Sequence, residues 1–295
     1  TLPIDGYDLE GVHTLRTLDD ALALKSVLAA GGKNLVLIGS GWIGMEVAAS
    51  ARTLGNTVTI LERGSVPLSA VLGEELGNAF KAVHESHGVT FRMDANVEKI
   101  VGTSHVEGVL VDGETVPADL VLVGVGAIPN TDLAEQAGLE VKNGILADAS
   151  LATSAPDVFV AGDVANVMHP VLAERLRSEH WSNAINQGKT AALAMLGRPV
   201  SYDEIPYFYT DQFDLGVELS GYPSLMRDAR IVVRGSLADH KYIAFWLLDG
   251  KVVAGMNVNI WDVNETVQKL IRSDTAIDEA RLIDTSVELE SLVAA

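Results

Sequence analysis

The sequence predicts an α/β protein, with a Rossmann-like domain on a parallel sheet followed by an α+β region with an antiparallel sheet. Three observations predict it. An apolar run, Val36-Leu37-Ile38, ends in Gly39-Ser40-Gly41-Trp42-Ile43-Gly44-Met45-Glu46, with glycines spaced G-x-G-x-x-G and an Ala-rich helical pattern beyond them. A second apolar strand, Thr57-Val58-Thr59-Ile60-Leu61, then ends in Glu62. After about residue 200 the pattern turns to alternating strands around an Asp249-Gly250 hairpin signal.

The glycine spacing has a physical reason. Gly39 permits a tight strand-to-helix turn, Gly41 lets backbone approach a pyrophosphate, and Gly44 lets helix pack on strand. The helix N-terminus then turns free N–H groups toward the phosphates. Glu62 follows the fingerprint by about 20 residues, where a carboxylate accepts the ribose hydroxyls and repels a 2′-phosphate. This favours NAD over NADP, although Arg63 beside it is a cation that tolerates NADP. The plainer alternative is a glycine-rich turn with no ligand.

Residues 1–16 read as irregular, ending in Val12-His13-Thr14-Leu15-Arg16. Thr17 with Asp20 three residues on reads as a capping box, opening a helix to about Ala29 that stops at Gly31-Gly32. The fingerprint unit follows, with strand 34–38, helix 45–54 and strand 57–61. Residues 73–87 have helical periodicity, 89–93 read as a third strand, and 97–111 before Asp112-Gly113 read as short antiparallel strands. The apolar strand 118–123 ends at Gly124-Val125-Gly126, a strand carboxyl end where doubly wound sheets bind ligands. Then come a short strand at 143–148, a buried strand at 157–161 running into Gly162-Asp163, and a long helix from Glu179 to about Leu196. The last region reads as strands near 216–219, 230–233, 242–248 and 251–258, with helices near 264–272 and 286–292.

Composition narrows the function classes. The chain has 295 residues, no cysteine and a formal charge of -19. Absent thiols exclude disulfides, thiolate catalysis and cysteine-ligated metal within these residues. The acidity argues against nonspecific nucleic-acid binding. No apolar run approaches the roughly 18 residues of a membrane span and the chain opens with no signal-peptide pattern, so no membrane association and, with cysteine absent, a cytoplasmic location are expected; the missing initiator Met reads as a chain that begins inside a longer protein. The seven histidines show no metal-like spacing, so no metal site is expected.

Five collinear stretches carry a resemblance that covers the whole chain: Val12 to Ala21, Gly39 to Glu46, Thr153-Ser154-Ala155-Pro156-Asp157-Val158-Phe159 leading into Gly162-Asp163, Glu179-His180-Trp181-Ser182-Asn183-Ala184, and Tyr207-Phe208-Tyr209-Thr210-Asp211-Gln212. Together they resemble the FAD-dependent pyridine-nucleotide oxidoreductases, in the ferredoxin, rubredoxin and putidaredoxin reductase branch, to which apoptosis-inducing factor is related. The resemblance implies an NAD-binding Rossmann-like domain at 31–124, inserted in an incomplete FAD-binding domain at 1–30 and 125–198, and a C-terminal α+β domain at 199–295. It also implies that the first half of the flavin domain, on the order of 100 residues of β-α-β units, precedes Thr1, making the chain a fragment or processed product.

The same resemblance implies roles for particular residues. Asp163 is expected to accept a hydrogen bond from the flavin ribityl chain, or, more plainly, to cap a helix. Arg16 is expected at the FAD pyrophosphate, with a surface ion pair as its alternative. Trp181 falls near the isoalloxazine at a helix start whose dipole favours a reduced ring, or else packs in the core. Tyr209, or Phe208, replaces an aromatic that relatives set over the flavin. Glu46 resembles the glutamate beside the nicotinamide carboxamide, and otherwise reads as a first-turn helix acid. Gly124 and Gly126 let backbone approach NADH. With Gly39, Gly41, Ile43, Gly44 and Glu62 these complete the expected cofactor contacts, and no side chain is nominated as a general acid or base.

The implied activity is NADH:ferredoxin-type reduction, with hydride passing from NADH to FAD and single electrons to a small iron–sulfur carrier, a 2Fe–2S ferredoxin or a rubredoxin. Docking an acidic carrier on an acidic chain calls for a local basic patch, for which Arg175, Arg177, Arg227, Arg230 and Arg234 are candidates. Two other readings stay open: another reductase of the superfamily, although the His-Pro-Thr pattern of the glutathione-reductase type is absent after residue 200, and a non-catalytic NAD(H)-binding interaction protein. A homodimer is compatible with each.

Overall fold

A computed structural model describes residues 4–293. They form two compact units, one running to Gly126 and including Thr210–Gly216, the other made of Ala127–Tyr209 and the stretch from Val217 on.

The first unit starts with β1 (Val12–His13) and α1 (Leu18–Leu28). Thr17 Oγ1 accepts from the Asp20 N–H at 3.1 Å while the Asp20 carboxylate accepts from the Thr17 N–H at 2.8 Å, the capping box that the sequence predicts. Next come β2 (Asn34–Ile38), α2 (Trp42–Thr53), β3 (Thr57–Leu61), α3 (Ser69–Ser86) and β4 (Val89–Arg92). A three-stranded antiparallel insertion, β5 (Val97–Gly102), β6 (Val106–Val111) and β7 (Glu114–Pro117), returns to β8 (Leu120–Val123). The main sheet is parallel throughout, in the order β1-β8-β2-β3-β4. Its strands read as continuous apolar runs because both faces are covered, and Val36, Ile38, Leu61 and Val121 share one core with Ile100, Val109 and Val116 of the insertion. Strand order reverses at β2, so β3 lies on one side of it and β8 on the other, opening a crevice at their carboxyl ends.

The second unit holds α4 (Asp132–Gln136), β9 (Ile145–Ala147), β10 (Ala165–His169), β11 (Glu174–Leu176) and α5 (Trp181–Met195). Then follow β12 (Tyr207–Gln212) and β13 (Leu215–Gly221), of which Thr210–Gly216 is counted with the first unit, and α6 (Pro223–Met226), β14 (Arg230–Ser236), β15 (Lys241–Leu248) and β16 (Lys251–Val258). The last helices are α7 (Asn264–Ser273) and α8 (Glu279–Ile283). The large sheet runs β12-β13-β16-β15-β14, and α7 lays Val267, Leu270 and Ile271 into a core with Phe245 and Leu247. Both Asp-Gly pairs close two-residue hairpins: Asp112 and Gly113 have φ 50° and 79°, Asp249 and Gly250 φ 50° and 77°. Positive φ at both positions is what a type I′ turn needs.

Several expected elements differ. Helix α2 starts at Trp42, inside the glycine turn, and α3 starts at Ser69, with a non-helical Gly73 (φ 72°, ψ 179°) marking where the sequence pattern began. Residues 157–161 are not a strand. Pro156 offers no N–H, Asp157 sits at φ 61°, and a single bridge joins Phe159 to Ala152, so the strand forms instead beyond Gly162-Asp163, as β10. The expected 286–292 helix shrinks to a 3₁₀ turn at Leu289–Leu292, while the short α4, β11 and α8 have no strong periodicity to announce them. Val12–His13, in the stretch read as irregular, pairs with β8; residues 1–3 of that stretch lie outside the described residues. Among the described residues no helix is long and apolar enough to cross a membrane.

Candidate functional site

At the crevice each fingerprint glycine answers a separate demand. Gly39 follows β2 with φ 102°, its N–H donates to the Leu61 carbonyl at 2.8 Å, and a Cβ on it would stand 2.5 Å from the Gly124 carbonyl oxygen. A Cβ on Gly44 would stand 2.6 Å from the Gly39 carbonyl oxygen, so only glycine lets α2 press onto the turn. Gly41 is different: its conformation (φ -70°, ψ 176°) suits any residue, and nothing lies within 4 Å of where a Cβ would be. The space beside its backbone is open to a ligand. Gly41 is the N-cap of α2, without a side-chain cap and with no acid in the first turn, so the first N–H groups are left to an anion. Ile43 is half exposed on that turn. Across the crevice Gly124 donates its N–H to the Ile38 carbonyl at 2.9 Å, and Gly126 holds φ 107° with open space beside it.

Glu62 stands at the end of β3 behind this turn. Its Oε2 accepts from the Ser40 N–H at 2.8 Å and the Ser40 hydroxyl at 2.7 Å, and its Oε1 accepts from the Gly64 N–H at 2.8 Å. Burial pushes its pKa up, but the bonds from Ser40, Gly64 and Arg63 outweigh that and hold it below the usual value. Glu62 is thus a fixed anion. A pyrophosphate and an adenosine ribose fit the residues present. Ser40, which locks Glu62 in place, was not singled out in the sequence; its position inside the fingerprint was the available signal.

Glu46 is the fifth residue of α2, beyond the first turn where the plainer reading put it. Its Oε1 accepts from the Thr210 hydroxyl at 2.6 Å. Desolvation, aided by Asp211 and opposed by Thr210, raises its pKa. Thr210 and Gln212 are further members of this site that sequence reasoning missed. They sit two apart in a strand and share one face.

In the second unit Gly162 (φ 83°) donates its N–H to Gln187 Oε1 of α5 at 2.8 Å, and Asp163 follows it, half-buried, with its carbonyl accepting from Arg177 at 3.1 Å. Asp163 leads into β10 and caps no helix. The start of α5 is fixed by Asn183, which donates to the Ser178 carbonyl at 2.9 Å and accepts from the Tyr202 hydroxyl at 2.9 Å. His180, the N-cap residue, stacks on Phe208 with centroids 4.5 Å apart, and burial lowers its pKa against the pull of Asp163 and Glu179. Trp181 is 71 % exposed, which removes the core-packing alternative. Tyr209 is 53 % exposed while Phe208 is buried, so of that pair Tyr209 is the outward aromatic. A glycine-aspartate pair beside an uncapped helix N-terminus, with an outward indole on its first residue, fits the ribityl and ring portions of a flavin. Arg16, in the first unit, is exposed just before the Thr17 cap.

The expected basic docking patch is not there as a set. Arg175 donates to the Ala147 and Asn166 carbonyls, Arg177 to Asp163 and Glu179, and Arg230 pairs with Glu279. Arg234 is buried, donating to the carbonyls of Leu282, Asp284 and Val287. Of the five, Arg227 alone shows no such internal bond among the described residues.

Known proteins resemble the chain along its whole length. Residues 1–188 match the family described as pyridine nucleotide-disulphide oxidoreductase, and residues 207–293 match the reductase C-terminal family. A probable ferredoxin reductase, CtmF, of Castellaniella defragrans is 36 % identical over 99 % of this chain and 71 % of its own length. The ferredoxin–NAD(+) reductase component of the biphenyl dioxygenase system of Paraburkholderia xenovorans is 37 % identical over 100 % of this chain and 72 % of its own. The crystal structure of the ferredoxin reductase for the CYP199A2 system from Rhodopseudomonas palustris superposes with a TM-score of 0.94 at 32 % identity, covering 99 % of this chain and 72 % of that one.

Proposed function

The chain belongs to the pyridine nucleotide-disulphide oxidoreductase family, and from that premise we propose that it is a flavin-dependent NADH:ferredoxin reductase. The observation that carries the reading is the open backbone at Gly41 with the fixed carboxylate of Glu62 behind it, on a chain that also bears a reductase C-terminal domain. Its cofactor is FAD, its reductant NADH, and its partner a small iron–sulfur electron carrier.

The chemistry supplied by bound FAD is acceptance of hydride from NADH and release of single electrons to an iron–sulfur protein. The protein's part is to bind, orient and charge-match. In this reading the N–H groups at Gly41 and the first turn of α2, including Ile43, seat the NADH pyrophosphate. Gly39 and Gly44 hold that turn against the sheet, and Gly124 and Gly126 line the opposite side. Glu62 accepts the ribose hydroxyls and repels a 2′-phosphate, and Glu46 accepts from the nicotinamide carboxamide. Asp163 takes the ribityl chain, Arg16 the FAD pyrophosphate, and Trp181 and Tyr209 flank the ring. The domain reading that goes with these roles is 31–124 for NAD, 1–30 and 125–198 for FAD, and 199–295 as the C-terminal domain. The cytoplasm, where NADH is drawn on, is the location we assign.

The test is NADH-dependent reduction of a 2Fe–2S ferredoxin by the purified flavin-loaded protein. The reading expects turnover with NADH well above that with NADPH. Equal rates with both nucleotides would remove the role given to Glu62, and no ferredoxin reduction would remove the activity.

A further inference from the structure

A line of hydrogen bonds runs from Glu46 into the interior of the first unit. The Thr210 hydroxyl donates to Glu46 Oε1 at 2.6 Å, Gln212 Nε2 donates to Thr210 Oγ1 at 3.1 Å, and His84 Nε2 lies 2.9 Å from Gln212 Oε1. Thr210, Gln212 and His84 are all buried.

The carboxylate sets the direction of the whole line. An ionised Glu46 only accepts, so Thr210 must give it the hydroxyl proton and is left with its lone pairs facing Gln212. The Gln212 amide must then present its NH₂ group to Thr210 and its oxygen to His84. His84 therefore carries its proton on Nε2. Burial pushes its pKa down to about 4, against the pull of Gln212, so it has one N–H and spends it here, with Nδ1 left bare. Phe91 and Phe213 meet its ring edge-on at 6.2 Å and 5.0 Å, fixing the ring plane. Every donor in the line points toward Glu46, an arrangement in which successive bonds polarise one another.

Structural demand alone does not explain this. A glutamate two residues past Gly44 is half-desolvated, yet among the described residues Thr210 is its one hydrogen-bond donor, so most of its roughly four acceptor sites are unfilled. Such a carboxylate is costly unless a further donor arrives. We infer that Thr210, Gln212 and His84 are positioning residues that hold Glu46 in the rotamer that accepts the carboxamide N–H of NADH, an inference that rests on the NADH reading above.

The experiment compares binding of NADH and of its 3-acetylpyridine analogue, whose methyl ketone has no N–H to give, by anaerobic titration calorimetry on the flavin-loaded protein reduced beforehand with dithionite, so that neither dinucleotide is oxidised during the titration. For Thr210→Val the expected result is a Kd for NADH raised about tenfold with the analogue nearly unmoved, so that the preference for NADH collapses. Thr210→Ser restores the preference, and His84→Phe, two bonds away, lowers it several-fold. A Thr210→Val protein that binds both dinucleotides as the parent does, or weakens both equally, overturns the inference. Should Thr210→Val not fold, the ratio for His84→Phe decides, and an unchanged ratio there also overturns it. A parent protein that fails to bind NADH refutes the NADH reading itself.

Discussion

Replacing Gly41 by alanine separates the fold of the glycine turn from its use. The residue has φ -70° and ψ 176°, extended backbone that alanine adopts without strain, and no atom lies within 4 Å of the new methyl group. The only folded-state cost is a poorer N-cap, about 0.5–1 kcal/mol, or roughly 2 °C in Tm for a domain of this size. Binding is another matter. A phosphate oxygen that accepts from this backbone must come to about 2.9 Å of a nitrogen, and a methyl group on the same face keeps it away. Losing one hydrogen bond to a charged group, at about 1.5–3 kcal/mol, raises the Kd for NADH by about tenfold to somewhat over a hundredfold. The assay pairs a thermal melt with an NADH titration. Expected are a nearly parental Tm and a Kd at least tenfold weaker; a parental Kd would show that ligand does not approach the chain at Gly41, and the proposed pyrophosphate seat would fall.

Gly44→Ala should behave in the opposite way, because its methyl group meets the Gly39 carbonyl at 2.6 Å; despite a helix-propensity gain of about 1 kcal/mol, a net loss of stability is expected in a denaturant melt, and a rise would refute the close helix packing. Glu62→Gln removes the repulsion of a 2′-phosphate, so the NADH:NADPH ratio of kcat/KM should fall about tenfold, by roughly 1.4 kcal/mol; because the folded-state pKa of Glu62 is depressed, the stability its charge contributes is present above the ordinary carboxylate pKa and is lost as pH falls through the folded value, so parent and variant should converge in acid melts. Glu46 has the reverse sign: its raised folded-state pKa means stability is lost as pH rises from the ordinary carboxylate value through the folded one, so Glu46→Gln should melt higher than the parent at neutral pH while binding NADH more weakly, and a lower melt would contradict the desolvation argument. Arg234→Met leaves three carbonyls, one buried and two partly buried, without their donor and should cost about 1–3 kcal/mol in urea unfolding, with the NADH Kd unchanged.

What was legible in the sequence follows the range of the interactions. Glycine turns, the Thr17–Asp20 capping box and the two Asp-Gly hairpins are set by neighbours within a few residues, and they form as read. The strand expected at 157–161 fails for an equally local reason, visible in Pro156, but its apolar content outweighed that signal. Long-range partners were not legible. The five arginines looked like one cationic set until Arg234 proved to be spent on carbonyls some 50 residues away. Likewise Thr210 reaches Glu46 across 164 positions and His84 reaches Gln212 across 128, and no spacing rule connects residues so far apart. The carboxylate could be found from the fingerprint. The groups that orient it could not.

The central claim is that one protein passes electrons from NADH through a flavin to an iron–sulfur carrier. It is tested most directly by an anaerobic titration of the purified flavin-loaded protein with NADH, following the visible flavin band, and then by addition of an oxidised 2Fe–2S ferredoxin. The account predicts that the band bleaches with about one equivalent of NADH and returns as the ferredoxin is reduced. A flavin band that NADH leaves intact, or one that bleaches and is not restored by the ferredoxin, would contradict it.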